Sequence, residues 1–133
     1  MDDDTSTAGP PSDRVRLRRI AERGRYDAAT ITSILDDGLV AHVGVTTPDG
    51  PVVLPMAYGH ADGTLYLAWR AILPGDVRDI VVMRSRDGGD TWDSPVRPRA
   101  DGWVYPGCPH AGPSLKVDGD GAVHIAWWQG KQG

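Results

Sequence analysis

The sequence lacks phenylalanine, has one cysteine, and contains no apolar run long enough to predict a transmembrane helix. Its start, Met1-Asp2-Asp3-Asp4, has neither the basic nor the apolar region of a signal peptide. The single cysteine, Cys108, excludes an internal disulfide. We therefore expect a cytoplasmic protein with no membrane partner. The net charge of −4 also argues against a nucleic-acid partner, because phosphate binding needs a basic surface.

Glycine and proline are abundant, with 17 and 11 copies among 133 residues, and they predict many turns. The composition, 40% hydrophobic and 24% charged, is that of a globular protein. All five tryptophans lie at or after Trp69, and this shift marks a candidate boundary near residue 70. Residues 1–13 are polar and predict a disordered leader. A cluster of arginines follows that is more typical of a solvated arm than of an anion or nucleic-acid site: Arg14, Arg16, Arg18, Arg19, Arg23 and Arg25.

One short helix and three strands are predicted between residues 26 and 69. Asp27 is a candidate N-cap, apolar residues follow at helical spacing, and Gly38 stands just past the expected end. Strands are predicted at 39–45, 51–58 and 64–69, with turns at 48–50 and 60–63. The pattern indicates a mainly β fold that begins with one helix and an antiparallel meander.

This segment resembles the FMN-binding split-barrel proteins, the pyridoxamine 5'-phosphate oxidase-like family, over residues 14–67. The resemblance is carried by Arg23-Gly24-Arg25-Tyr26-Asp27, by Ile34-Leu35-Asp36-Asp37-Gly38-Leu39-Val40-Ala41-His42-Val43-Gly44, and by Leu54-Pro55-Met56-Ala57-Tyr58-Gly59. It implies a partial split barrel that binds flavin along its second and third strands, often between two subunits. By the same resemblance, Pro55, Met56, Ala57 and Tyr58 would contact the cofactor FMN. Arg70 stands near the position of the family's His-Gly-Ser type segment and would replace its contact with the flavin phosphate.

A second pattern, Ser85-Arg86-Asp87-Gly88-Gly89-Asp90-Thr91-Trp92, has the form S-x-D-x-G-x-T-W of an Asp-box. Its Asp87 is expected to accept hydrogen bonds from turn amides, and Trp92 to fold beneath the turn, so its role is structural. A repeat supports this pattern, because Asp62-Gly63-Thr64-Leu65-Tyr66-Leu67-Ala68-Trp69 returns as Asp120-Gly121-Ala122-Val123-His124-Ile125-Ala126-Trp127. Each copy predicts an Asp-Gly turn followed by a strand.

Residues 61–133 resemble sialidase-like β-propellers with Asp-box (BNR) repeats, and they hold roughly one blade. The structural Asp-box residues implied are Ser85, Asp87, Gly88, Gly89, Thr91 and Trp92. The chain is then a chimera, with a split-barrel-like segment at 14–67 and a blade-like segment at 68–133. Arg70, Arg78 and Asp79 are candidates for sialidase chemistry, but no glutamate follows Glu22, and an Arg-Asp pair in a loop is more often a surface ion pair. Catalytic residues therefore stay unknown.

Cys108 and His110, separated by one residue, are a weak candidate for metal binding. Structural zinc sites usually show two separated pairs of ligands, so we expect no metal and a packed loop thiol instead.

Three functions remain open. The favoured one is an FMN-binding split-barrel-like protein, related to oxidoreductases, that carries an inactive sialidase-like propeller fragment. The alternatives are a non-catalytic β interaction module and a fragment of a sialidase-like hydrolase. Exposed strand edges predict self-association, as a homodimer. The sequence leaves open whether the two segments form one sheet or two units.

Overall fold

The computed structural model describes residues 8–130, so most of the predicted leader, residues 1–7, lies outside the described residues. Two short 3-10 helices, Asp13–Val15 and Ala21–Arg23, precede the helix α1, Ala28–Asp37. The strands are β1 Val40–Thr47, β2 Gly50–Ala61, β3 Thr64–Arg70, β4 Ile80–Ser85, β5 Ser114–Val117 and β6 Val123–Ala126. The prediction of a mainly β fold with one helix followed by an antiparallel meander is confirmed. No helix among residues 8–130 is long and apolar enough to cross a membrane.

The first of two compact units ends at Gly38 and contains α1. Asp27 caps the helix as predicted, since its carboxylate accepts hydrogen bonds from the Thr30 backbone N–H at 2.8 Å and from the Thr30 hydroxyl at 2.9 Å. These bonds hold the pKa of Asp27 below its ordinary value. The helix ends at Asp37, directly before Gly38, and the arginines at positions 14–25 are exposed.

The second unit begins at Leu39 and is built on a four-stranded antiparallel sheet in the order β1-β2-β3-β4. Two-residue loops join its first three strands: Pro48-Asp49 before Gly50, and Asp62-Gly63 before Thr64. Both Asp62 and Gly63 have positive φ, 47° and 76°, as a tight hairpin turn requires. Because this turn needs only two residues, β2 runs on to Ala61 and passes the predicted strand end at residue 58.

Strand pairing continues across the predicted boundary near residue 70. β3 and β4 pair from Leu65 opposite Ser85 to Arg70 opposite Ile80. The alternative that the sequence left open is thereby resolved, because the predicted segments share one sheet. The strands β5 and β6 form a separate two-stranded hairpin. Both copies of the Asp-Gly repeat stand at hairpin turns, with φ of 76° at Gly63 and 79° at Gly121.

The core lies where the β5–β6 hairpin packs on the sheet. Ala57, Ala68 and Val82 pair in a row across β2, β3 and β4, and all three are buried. Leu115 and Ile125 of the hairpin pack against this row. At Gly59 a Cβ atom would overlap Leu115 Cδ2 and lie 3.0 Å from Val117 Cγ2. Small side chains on the sheet therefore permit the close approach of the hairpin.

Candidate functional site

A groove of about 460 Å³ lies over β2 and β3, bounded on its other side by the loop at 109–113. This loop leads directly into β5, so the hairpin that covers the core also positions the outer wall of the groove. The residues that line it are mostly apolar: Val40, Leu54, Pro55, Met56, Ala57, Ala68, Trp69, Arg70, Pro109, Ala111, Gly112 and Pro113.

Four of the five predicted flavin-contacting residues line this groove. Pro55, Met56 and Ala57 contribute from β2, and Arg70 contributes from the end of β3. Tyr58, the fifth, is not among the lining residues. Ala57 and Ala68, which pair across β2 and β3, belong to the buried row under the β5–β6 hairpin and also line the groove, so the groove adjoins the core. The structure thus brings together residues that the resemblance alone had selected.

Arg70 joins three separate chain segments through main-chain carbonyls. Its Nε donates to Ala111 O at 3.1 Å, its Nη1 to Arg78 O at 2.7 Å, and its Nη2 to Trp128 O at 2.6 Å. These bonds tie the groove wall, the segment just before β4 and the segment after β6 to the end of β3. Three of the five N–H donors of the guanidinium are therefore occupied by the protein itself.

Aromatic rings lie beside the same guanidinium. Its carbon lies 5.0 Å from the centre of the Trp103 ring, a cation–π distance, and Trp103 packs edge-on against Trp128 at 5.6 Å. Burial lowers the pKa of Arg70, while the negative charges of Asp101 and Asp79 act in the opposite direction. Both carboxylates form ion pairs with other arginines, Asp79 with Arg97 at 3.0 Å and Asp101 with Arg99 at 2.7 Å. The late tryptophans, noted as a shift in composition, supply much of its environment.

The outer wall of the groove was not found by sequence reasoning. Pro109, Ala111, Gly112 and Pro113 had been assigned to the sialidase-like segment, without a role in flavin binding. They lie next to β2 and β3 because Arg70 binds Ala111 O across 41 positions of the chain. No local pattern signals such a long-range contact.

The prediction of a surface ion pair between Arg78 and Asp79 was wrong. Both residues are buried, with Asp79 1% exposed, and each pairs elsewhere. The Asp79 carboxylate accepts hydrogen bonds from Arg97 Nη1 at 3.0 Å and from the Trp103 backbone N–H at 3.3 Å. Arg78 Nη2 donates instead to the Asp76 carboxylate at 3.3 Å. The approach of the 97–103 segment to the start of β4 buries the pair, so these charges hold the loops together.

The Asp-box turn has the hydrogen bonds that its sequence predicts. Asp87 accepts from the Thr91 backbone N–H at 2.9 Å and from the Ser85 hydroxyl at 2.7 Å, and the Thr91 hydroxyl also donates to it. Gly88 and Gly89 have φ of 70° and 103°, and Trp92 Nε1 donates to Gly89 O at 3.0 Å. After the turn, Val96 forms a bridge with Val82 of β4. The motif therefore reverses the chain at the sheet edge.

Replacing Asp87 with asparagine is expected to remove an acid-sensitive part of the stability. Hydrogen bonds from Thr91 and Ser85 lower the pKa of Asp87 from 3.8 to about 2. A lowered folded-state pKa stabilises the fold above the unfolded value of 3.8, and that contribution is lost as the pH falls toward about 2. Urea unfolding across this interval should show a shallower pH dependence in Asp87→Asn than in wild type. Asp90→Asn, in the same turn, is the control; an identical decline in all three proteins would contradict the assignment.

The Cys108–His110 loop does not form a metal-ligand cluster. His110 Nδ1 lies 2.8 Å from Cys108 O, and among residues 8–130 no group of three or more His, Cys, Asp or Glu side chains is arranged to hold a metal. The expected packed thiol was wrong, because Cys108 is exposed. Arg78 Nε donates to Gly107 O, so the loop is held through its main chain and its thiol faces solvent.

The first part of the sheet, together with α1, matches a known protein family. Residues 27–71 match the family model described as Pyridoxamine 5'-phosphate oxidase. This range spans α1 and the first three strands, including the sheet side of the groove. No curated protein and no solved structure matches the chain. The resemblance of residues 61–133 to sialidases, and with it the chimera, therefore stays a prediction from motifs. From its helix cap to the end of β3, the chain is similar to the pyridoxamine 5'-phosphate oxidase family.

Proposed function

We propose that this chain binds a flavin in the groove over β2 and β3. Residues 27–71 match the model of the pyridoxamine 5'-phosphate oxidase family, and the resemblance of residues 14–67 to the FMN-binding split-barrel proteins implies flavin binding. The observation that carries the proposal is that Pro55, Met56, Ala57 and Arg70, selected by the resemblance, line a single groove. The volume of about 460 Å³ lies within the range typical of small-molecule sites, roughly 300–1,000 Å³.

The lining suits the flat ring system of a flavin. Proline and alanine side chains from β2 and from the 109–113 loop offer apolar contact on two sides. In this proposal Pro55 and Ala57 bind one side of the ring, Pro113 binds the other, and together they exclude water. A bound flavin supplies hydride-transfer and one-electron chemistry, which is the basis for a relation to oxidoreductases.

The proposal is tested by flavin uptake. The purified untagged chain is mixed with FMN or riboflavin, separated on a calibrated size column, and its absorbance recorded; flavin bands are expected to travel with the protein. Gly112→Trp is expected to abolish uptake, because a Cβ at this groove residue meets nothing within 4 Å and leaves the indole free to fill the groove. Gly119→Trp, an equally open position outside the groove lining, is the matched control. A wild-type sample that takes up neither flavin contradicts the proposal.

A second candidate function is self-association through the β1–β2 hairpin. Val53, Leu54 and Val40 are exposed, β1 is an edge strand, and neither β1 nor β2 contains a lysine, arginine or acidic residue. An uncharged apolar edge is the kind of strand that pairs with another chain. We infer a homodimer, and the same size column tests it: elution at the monomer position at high protein concentration would exclude this role.

A further inference from the structure

The groove proposed for flavin offers little to a phosphate group. Among its described lining residues, Arg70 is the single side chain that carries a charge. Phosphate sites in proteins use cationic side chains, successive backbone N–H groups, or both. The affinity of this groove for the phosphate of FMN therefore depends on Arg70 and on the main chain of the 109–113 loop.

The Arg70 guanidinium already forms hydrogen bonds with the protein's own main chain. Three of its five N–H donors bind the carbonyls of Ala111, Arg78 and Trp128. Its guanidinium also lies over the Trp103 ring, with its carbon 5.0 Å from the ring centre. A phosphate would have to compete with these three carbonyls for the guanidinium N–H groups, so the added attraction is small.

The loop at 109–113 offers few donors to an anion and no cationic side chain that lines the groove. Its first and last residues, Pro109 and Pro113, have no backbone N–H, which limits the run of successive donors to positions 110–112. Its one ionisable side chain, His110, is not among the lining residues, and its Nδ1 faces Cys108 O. The wall therefore presents apolar groups toward the groove.

We infer that the groove binds the uncharged ring of a flavin and gains no affinity from the phosphate, so that riboflavin binds at least as tightly as FMN. The inference rests on the proposed flavin-binding function. The ring of FMN fits the lining and its phosphate does not, which sets this chain apart from the FMN-binding family that residues 27–71 resemble.

The test is a pair of fluorescence titrations, with riboflavin and with FMN, each at low and high salt. We expect the two Kd values to agree within about threefold, because a charged phosphate contact would by itself change the affinity roughly ten- to hundredfold. We also expect the Kd of FMN to be insensitive to salt, because salt screens a charged phosphate contact and would weaken it. An FMN preference of about tenfold or more that salt reduces would overturn the inference while leaving flavin binding intact. Failure of both ligands to bind would instead defeat the proposed function.

A variant with an added cation in the groove tests the converse expectation, that a cation would create a preference for FMN. Gly112→Lys places an ammonium at the groove, where a Cβ meets nothing within 4 Å, and is expected to favour FMN over riboflavin by about tenfold. Gly112→Gln controls for side-chain length and Gly119→Lys for added charge outside the groove. If wild type already prefers FMN, and Arg70→Gln alone removes that preference, Arg70 is the phosphate ligand and the inference is wrong.

Discussion

Replacing Arg70 with alanine is expected to lower the free energy of unfolding by at least about 3 kcal/mol. Hydrogen bonds of a charged donor contribute on the order of 1.5–3 kcal/mol each, and Arg70 makes three, to Ala111, Arg78 and Trp128. The variant leaves these carbonyls without their partner and removes the cation from the Trp103 ring. Urea unfolding monitored by tryptophan fluorescence measures the loss.

Two further variants separate this role from a general effect of losing an arginine. Arg84 forms an exposed ion pair with Asp93 at 2.8 Å, and Arg84→Ala is expected to cost less than about 1 kcal/mol. Arg70→Lys keeps the charge but not the planar fork, so it should recover only part of the stability. If Arg70→Ala costs no more than Arg84→Ala, then Arg70 does not hold the three segments together.

Substitution of Gly59 by valine is expected to destabilise the fold by about 2–3 kcal/mol, through overpacking between β2 and β5. A Cβ at Gly59 would overlap Leu115 Cδ2 and approach Val117 Cγ2 to 3.0 Å, so the added side chain has no space unless the hairpin moves. The unfolding free energy is again the measurement. Gly44→Val is the matched control, because Gly44 lies in β1 and a Cβ there meets nothing within 4 Å. Since valine is favoured over glycine in strands, Gly44→Val should be neutral or slightly stabilising.

A double-mutant cycle identifies the contact that causes the loss at Gly59. Leu115→Ala opens space above the strand, so Gly59→Ala should cost less in the Leu115→Ala background than in wild type. We expect a coupling energy of at least about 0.5 kcal/mol, as for residues in contact. Strict additivity would show that the hairpin does not approach β2 as closely as the structure has it. Because the 109–113 loop leads into β5, the same variants should also weaken flavin uptake.

Local structure was the most predictable part of this chain. Asp27 caps α1, the chain turns at Asp62-Gly63, and Asp87 accepts hydrogen bonds from its own turn, all as predicted. Each of these features depends on a few adjacent residues whose chemistry acts over one turn of chain. The predicted ends of β2 and β3 were short, since strand length is set by the pairing partner as well as by the sequence of the strand.

Predictions that depended on burial were less successful. Arg78 and Asp79 were expected at the surface and are buried, while Cys108 was expected to be packed and is exposed. Burial depends on which distant segment covers a residue, and the segment 97–103 that covers Asp79 is not marked by any local pattern. The same reasoning explains why the family resemblance selected the β2 side of the groove and not its outer wall.

The sequence by itself determined a mainly β chain with a capped helix, tight hairpins, and a similarity to the pyridoxamine 5'-phosphate oxidase family over the helix and the first three strands. Only the tertiary structure decided that β3 and β4 share one sheet, that the 109–113 loop closes one side of the groove, and that Arg70 serves the protein's own carbonyls. The physical reason is the range of the interactions. The hydrogen bonds of caps and turns form within a few residues. The position of the groove wall, and the number of guanidinium N–H donors left unbound, depend instead on contacts between segments that come together only on folding.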